Sequence, residues 1–133
     1  MNKEYVLFYL RQCLGNILNN PLLISELEEL LSKSGNEKQF FAQLVKSLRM
    51  LALLGVNSKD LDGFEHIGQG IYSMRLHAKG YNIRILYGFL SDEKPVLLLA
   101  FYERAGKRKT DYTPYLDPAR KRLEEEEKRF NEN

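Results

Sequence analysis

The apolar residues of this chain change period once, from about 3.6 residues to 2, near residue 56. A chain patterned this way folds as helices followed by strands. In the first part Leu23, Leu27, Leu30 and Leu31 recur on one helical face, opened by Asn20 and Pro21 and closed by Gly35. A second stripe, Phe40, Phe41, Leu44, Leu48 and Leu51, runs to Gly55, and Asn36 with Gln39 resembles a capping box at its start. Joined by SKSG, the two stripes predict a helical hairpin over about residues 21–55. Ahead of it EYVLFYL (4–10), rich in Val, Phe and Tyr, is expected to be a short opening strand.

Beyond residue 56, IYSMRLH (71–77) sets Tyr72, Met74 and Leu76 on one face and Ile71, Ser73, Arg75 and His77 on the other. YNIRILYGF (81–89) turns its odd residues to the core and places Arg84 among the even ones. A loop at Lys79–Gly80 makes these two runs a hairpin in which paired residue numbers sum to 159. Arg75 then lies directly across from Arg84, and His77 from Asn82. Like charges so opposed are destabilising unless something anionic lies between them. Arg84 either pairs with Glu103 or Glu65 inside the fold or is held out for an anion. PVLLLAFYE (95–103) is apolar without alternation, as a strand covered on both faces would be. SDEK is its leading turn, and Pro95 fits only its start or an edge.

ERAGKRKTDYTPYL (103–116) reads as a loop, and Asp117 with Pro118 as the start of a last helix over 117–130 carrying Ala119, Leu123 and Phe130. Arg120, Lys121 and Arg122 then crowd the helix's positive end, offset in part by Glu124, Glu125 and Glu126 four residues on. Between residues 102 and 122 there are seven basic and three acidic residues, a local excess that invites phosphate although the net charge is only +2. At 133 residues the chain is expected to be one domain, 1–133. The fold class is α+β: the helical hairpin packs on a small, mainly antiparallel sheet (about 64–103), followed by the basic loop (103–116) and a C-terminal helix. The lone Cys13 excludes an internal disulfide and suits a reducing cytoplasm, where it reads as a small packing residue. With His66 and His77 far from it, a structural zinc site is not supported. Neither a stretch of transmembrane length nor a signal-peptide pattern is evident, so no membrane association is expected.

The stretches "GFEHIGQGIYSMRL", "YNIRILYGF", "VLLLAFYERAGKRKT" and "ARKRLEE" resemble the RelE superfamily of bacterial toxins, in particular its HigB-like and phage Gp49-like branch. Gly68–Gln69–Gly70–Ile71–Tyr72–Ser73–Met74–Arg75 matches a strand motif of that branch, with Ser73 where an acid is usual. Asn82 to Tyr87 matches the next strand, and a Lys-rich loop ending in Thr-Pro follows. The loop from Glu103 to Pro114 is longer than usual, which shifts the register of its candidate residues.

The resemblance implies the toxin of a type II toxin–antitoxin system, an mRNA interferase that cleaves messenger RNA on the ribosome in the cytoplasm. Its cognate antitoxin is expected to be a small helix-turn-helix protein. The implied reaction is attack of a ribose 2′-hydroxyl on the adjacent phosphate, leaving a cyclic phosphate and a free 5′-hydroxyl. It needs no metal or cofactor, but it needs a base, cations for the phosphorane and an acid for the leaving oxygen. Arg84 and Arg75 are the expected phosphate clamps, because a guanidinium stays protonated and binds phosphate through two parallel hydrogen bonds. His77 and Tyr112 are the expected proton-transfer groups. Arg104, Lys107, Arg108 and Lys109 are the expected RNA-backbone contacts. The alternative is a non-enzymatic protein on the same scaffold that inhibits gyrase, as in the ParE branch, or only binds its antitoxin.

Overall fold

In the computed structural model the described residues are 3–15, 17–103 and 111–132. Among these described residues four helices and five strands follow in the order α1 (Lys3–Leu14), β1 (Leu18–Asn19), α2 (Pro21–Ser32), α3 (Glu37–Leu54), a 3-10 turn (Gly55–Asp60), β2 (Phe64–Gly68), β3 (Ile71–Ala78), β4 (Tyr81–Phe89), β5 (Pro95–Tyr102) and α4 (Thr113–Glu132). The fold is α+β. The sheet order is β1-β5-β4-β3-β2, an antiparallel meander of β2 to β5 with the two residues of β1 added in parallel at the β5 edge.

The helical hairpin forms as its stripes predict. Asn20 Oδ1 accepts from Leu22 N–H at 3.1 Å and Pro21 takes the first helical position. Leu23, Leu27 and Leu31 of α2 are fully buried, each worth on the order of 1.5–3 kcal/mol. At the start of α3 Asn36 makes no capping bond. Its amide instead donates to Gln39 Oε1 (2.8 Å) and to Lys79 O (3.2 Å), tying the helix to the β3–β4 turn. The run Glu37–Asp60 is long and apolar enough to cross a membrane by length and composition, contrary to the sequence expectation, but in the fold it buries Phe40, Phe41, Leu44, Leu48 and Leu51 against the sheet.

The opening segment departs from expectation. Residues 4–10 lie within helix α1, not in a strand. Val6, Leu10 and Leu14, spaced by four, line the buried side with Cys13 packed beside them, while Tyr5, Phe8 and Tyr9 face outward. Burial pushes the Cys13 thiol above its ordinary pKa.

The β3–β4 register is the expected one: Arg75 pairs with Arg84, and His77 with Asn82. Gly80 turns the chain with φ 101, a conformation open to glycine. One sheet face, with Met74, Leu76, Ile83, Ile85 and Tyr87, packs on α1 to α3. The other, with Ile71, Leu86, Val96, Leu98 and Phe101, packs under α4. β5 is thus covered on both sides, as its unbroken apolar run requires.

Helix α4 begins at Thr113, a turn earlier than Asp117 and Pro118 suggest. Asp111 Oδ1 accepts from Thr113 N–H (3.0 Å), and Tyr115 stacks on Phe101 with centroids 3.8 Å apart, so the added turn is both capped and packed. Pro118 is left inside the helix. Arg120, Lys121 and Arg122 are consequently remote from the positive helix end. Arg122 pairs across the fold with Glu26 by two bonds of 2.8 Å and donates to Leu98 O, rather than bonding along its own helix to Glu126. Glu26 also accepts from Ala100 N–H, so this pair covers the β5 edge beyond the point where β1 stops.

Candidate active site

Helix α4 seals the apolar half of its sheet face and leaves the polar half, built by Ser73, Arg75, Asn82 and Arg84, at the margin. Arg75 and Arg84 stand side by side because the two-residue turn fixes their register. The last described residue of the β5 end, Glu103, is held against β4 by Glu103 N–H donating to Asn82 O (2.8 Å). Its carboxylate lies between the two arginines. Oε2 accepts from Arg84 Nε at 2.9 Å and lies 3.6 Å from Arg75 Nε, while Oε1 is 3.5 Å from Arg84 Nη2. Arg84 and Glu103 are nearly buried, with side chains 11% and 12% exposed.

A second carboxylate reaches Arg84 from β2. Glu65, opposite Ser73 in the ladder, places Oε1 3.8 Å from Arg84 Nη1 and is half exposed. Both acids named as possible partners of Arg84 therefore contact it. Glu103, rather than a phosphate, resolves the opposition of the two arginines within the fold. Arg75 is more open: its Nε donates to Asn82 Oδ1 at 3.2 Å, and its side chain lines a cleft of about 230 Å³ with Asp62, Gly63, Phe64, Glu65 and Arg84.

Tyr112, immediately before α4, closes the cluster. Its ring centroid is 6.0 Å from Arg84 Cζ, and its hydroxyl donates to Glu65. The fully buried Ser73 Oγ lies 3.1 Å from the same hydroxyl. One phenolic proton cannot serve both, so with Glu65 as its acceptor Tyr112 takes the Ser73 proton. Burial, then the bond to Glu65, push the Tyr112 hydroxyl up to about 12, partly opposed by the Ser73 bond and the Arg84 charge. At neutral pH this phenol is a proton donor.

The expected site residues thus divide. Arg75, Arg84 and Tyr112 come together. His77 is exposed on the same face, beyond Arg75, and among the described residues no side chain bonds to its ring. Arg104, Lys107, Arg108 and Lys109 lie outside the described residues. His66 is a surface residue against Tyr72, with rings 4.7 Å apart. Among the described residues no three His, Cys, Asp or Glu side chains gather as a metal-binding group. Sequence reasoning sets Ser73 and Asn82 on this face but gives them no role in the cluster, and it names Glu65 and Glu103 only as competitors for Arg84. A carboxylate in β2 opposite the Ser73 position is the available signal for Glu65.

Comparison with protein-family models gives no match, and a search of curated proteins finds no similar one. The RelE resemblance rests on the motifs and their order.

Proposed function

We propose that the protein is a RelE-type toxin: a ribosome-dependent, metal-independent endoribonuclease, acting in the cytoplasm and neutralised by a cognate antitoxin. One observation carries the chemical part of this reading. Arg84 is contacted by an accessible carboxylate, Glu65, and by the ring of a proton-bearing phenol, Tyr112, whose hydroxyl donates to that carboxylate, with Arg75 alongside at the mouth of a cleft. In this scheme the RNA phosphate parts the Tyr112–Glu65 hydrogen bond, and the freed Glu65 carboxylate takes the 2′-hydroxyl proton. Arg84 and Arg75 hold the phosphate and stabilise the phosphorane. Tyr112 gives its proton to the leaving 5′-oxygen, which as an alkoxide is more basic than a phenolate. Lys107, Arg108, Lys109 and Arg104 contact RNA backbone. The ribosome, the messenger and the antitoxin come from the RelE resemblance.

The test is induction without antitoxin, with mRNA 5′ ends mapped by primer extension. Wild type is expected to generate discrete new ends, and Arg84→Ala or Glu65→Gln to lower their rate of appearance about 10²–10³-fold. A second reading, a non-enzymatic protein that inhibits gyrase or only binds its antitoxin, is favoured by the carboxylates that already neutralise Arg84. Growth arrest without new 5′ ends would select it.

A further inference from the structure

We infer that the space between Arg75 and Arg84 is an oxyanion site for a phosphodiester, and that Glu103 is its resident anion, displaced when the ligand binds. The register compels two guanidiniums to share one spot on the sheet, and a single oxygen, Glu103 Oε2, is within 2.9 Å and 3.6 Å of their Nε atoms. Arg84 grips Glu103 through Nε and Nη2, the two-pronged grip that arginine also uses on phosphate. The exchange conserves charge. A phosphodiester presents two non-bridging oxygens with one negative charge between them, as the carboxylate does. A monoanion in place of the Glu103 carboxylate leaves the charge beside Arg75, Arg84 and Glu65 as it was, whereas a terminal phosphate dianion would add a negative charge. The ligand class is therefore an internal diester of a nucleic-acid strand.

The backbone allows the exchange without unfolding the sheet. Glu103 is anchored by its main chain to Asn82, through N–H to Asn82 O at 2.8 Å and through O to Asn82 Nδ2 at 3.4 Å, so only the side chain must leave. It sits at the end of β5, directly before a segment, RAGKRKT, that is basic at four of seven positions. Arg75, 37% exposed, faces the cleft from which a strand would enter. Glu103 thereby opposes binding of any anion weaker than the diester and keeps Arg84 oriented while the site is empty.

This inference rests on the ribonuclease reading of the cluster, but its test does not require cleavage. The probe is a fluorescein-labelled, fully 2′-O-methyl RNA tetranucleotide, which has diesters and no attacking hydroxyl. Its affinity is measured by fluorescence anisotropy for the whole protein at about 50 mM salt. Glu103→Gln is expected to bind roughly tenfold more tightly than wild type, and adding Arg75→Ala to abolish the gain. Glu127→Gln, a control for general charge on a remote acid, is expected to change affinity less than about twofold. In the wild-type protein, the Nε–H resonances of Arg84 and Arg75 are both expected to shift on titration with the probe. That measurement stands if Glu103→Gln folds poorly. A folded Glu103→Gln protein with affinity within about twofold of wild type, or bound probe with neither resonance shifted, overturns the exchange. Tighter binding by Glu103→Gln in a protein that leaves mRNA intact would sink the ribonuclease reading alone. mRNA cleavage with unchanged probe affinity would sink the exchange alone.

Discussion

Replacing Tyr112 by Phe removes one hydroxyl and leaves its ring against Phe101 and Arg84. Two groups lose a partner. Ser73 is fully buried, so its orphaned hydroxyl should cost about 1–2 kcal/mol, whereas half-exposed Glu65 is rehydrated at little cost. The variant is therefore expected to be about 1–2 kcal/mol less stable than wild type at pH 8. The gap should also depend on pH. Folding raises the phenol from 10.0 to about 12, so the folded state holds a proton that the unfolded chain releases first. That contribution is fully present below pH 10 and is lost as pH rises from 10 to 12. A rise from 10.0 to about 12 is about a hundredfold difference in proton affinity between the two states, worth about 2.7 kcal/mol in full, and because the side chain is only half buried the loss by about pH 11.5 should be roughly 1 kcal/mol. Urea unfolding of both proteins followed by circular dichroism, from about pH 8 to about pH 11.5, reads the difference directly. Tyr81 and Tyr87, also raised by burial, are common to both proteins and cancel. A gap that stays constant or widens over this range would refute the protonated phenol and with it the acid role of Tyr112.

Arg122→Ala removes two bonds to Glu26 and one to Leu98 O, and leaves a carboxylate that is 27% exposed. Partial rehydration should hold the loss to about 2–3 kcal/mol, measured as a lower urea midpoint at unchanged m-value. Gly88→Ala puts a Cβ 3.1 Å from Leu123 Cδ2 and 3.2 Å from Gly70 O. Because one neighbour is backbone, the variant should lose about 1–3 kcal/mol, seen in the same assay.

What the amino-acid order discloses depends on whether the determining contacts are local. The β3–β4 register follows from a two-residue turn and alternating residues, so the opposition of Arg75 and Arg84 is legible in the sequence alone. Glu103 is legible only as one of two possible partners of Arg84, and its sharing with Arg75 is not, because Glu103 lies nineteen positions from Arg84 and reaches it only once β5 is docked. The opening helix is hidden because EYVLFYL has strand-like residue types. The period that decides it, Val6, Leu10 and Leu14, extends past that stretch. At the last helix, Thr113–Pro114 and Asp117–Pro118 lie a turn apart, and the Asp111 bond to Thr113 N–H with the stacking of Tyr115 on Phe101 selects the earlier start. His77 lies on the face that alternation assigns to it, exposed and directly across from Asn82.

Whether Glu65, the two arginines and Tyr112 cut RNA by 2′-hydroxyl attack is decided by the chemistry of the cut ends. Purified protein is incubated with ribosomes programmed with a defined mRNA, and the released fragments are analysed by mass spectrometry. Attack by the 2′-hydroxyl leaves a 2′,3′-cyclic phosphate on one fragment and a 5′-hydroxyl on the other, with accumulation slowed about 10²–10³-fold by Glu65→Gln. Fragments ending in a 3′-hydroxyl and a 5′-phosphate, or an intact messenger, would contradict it.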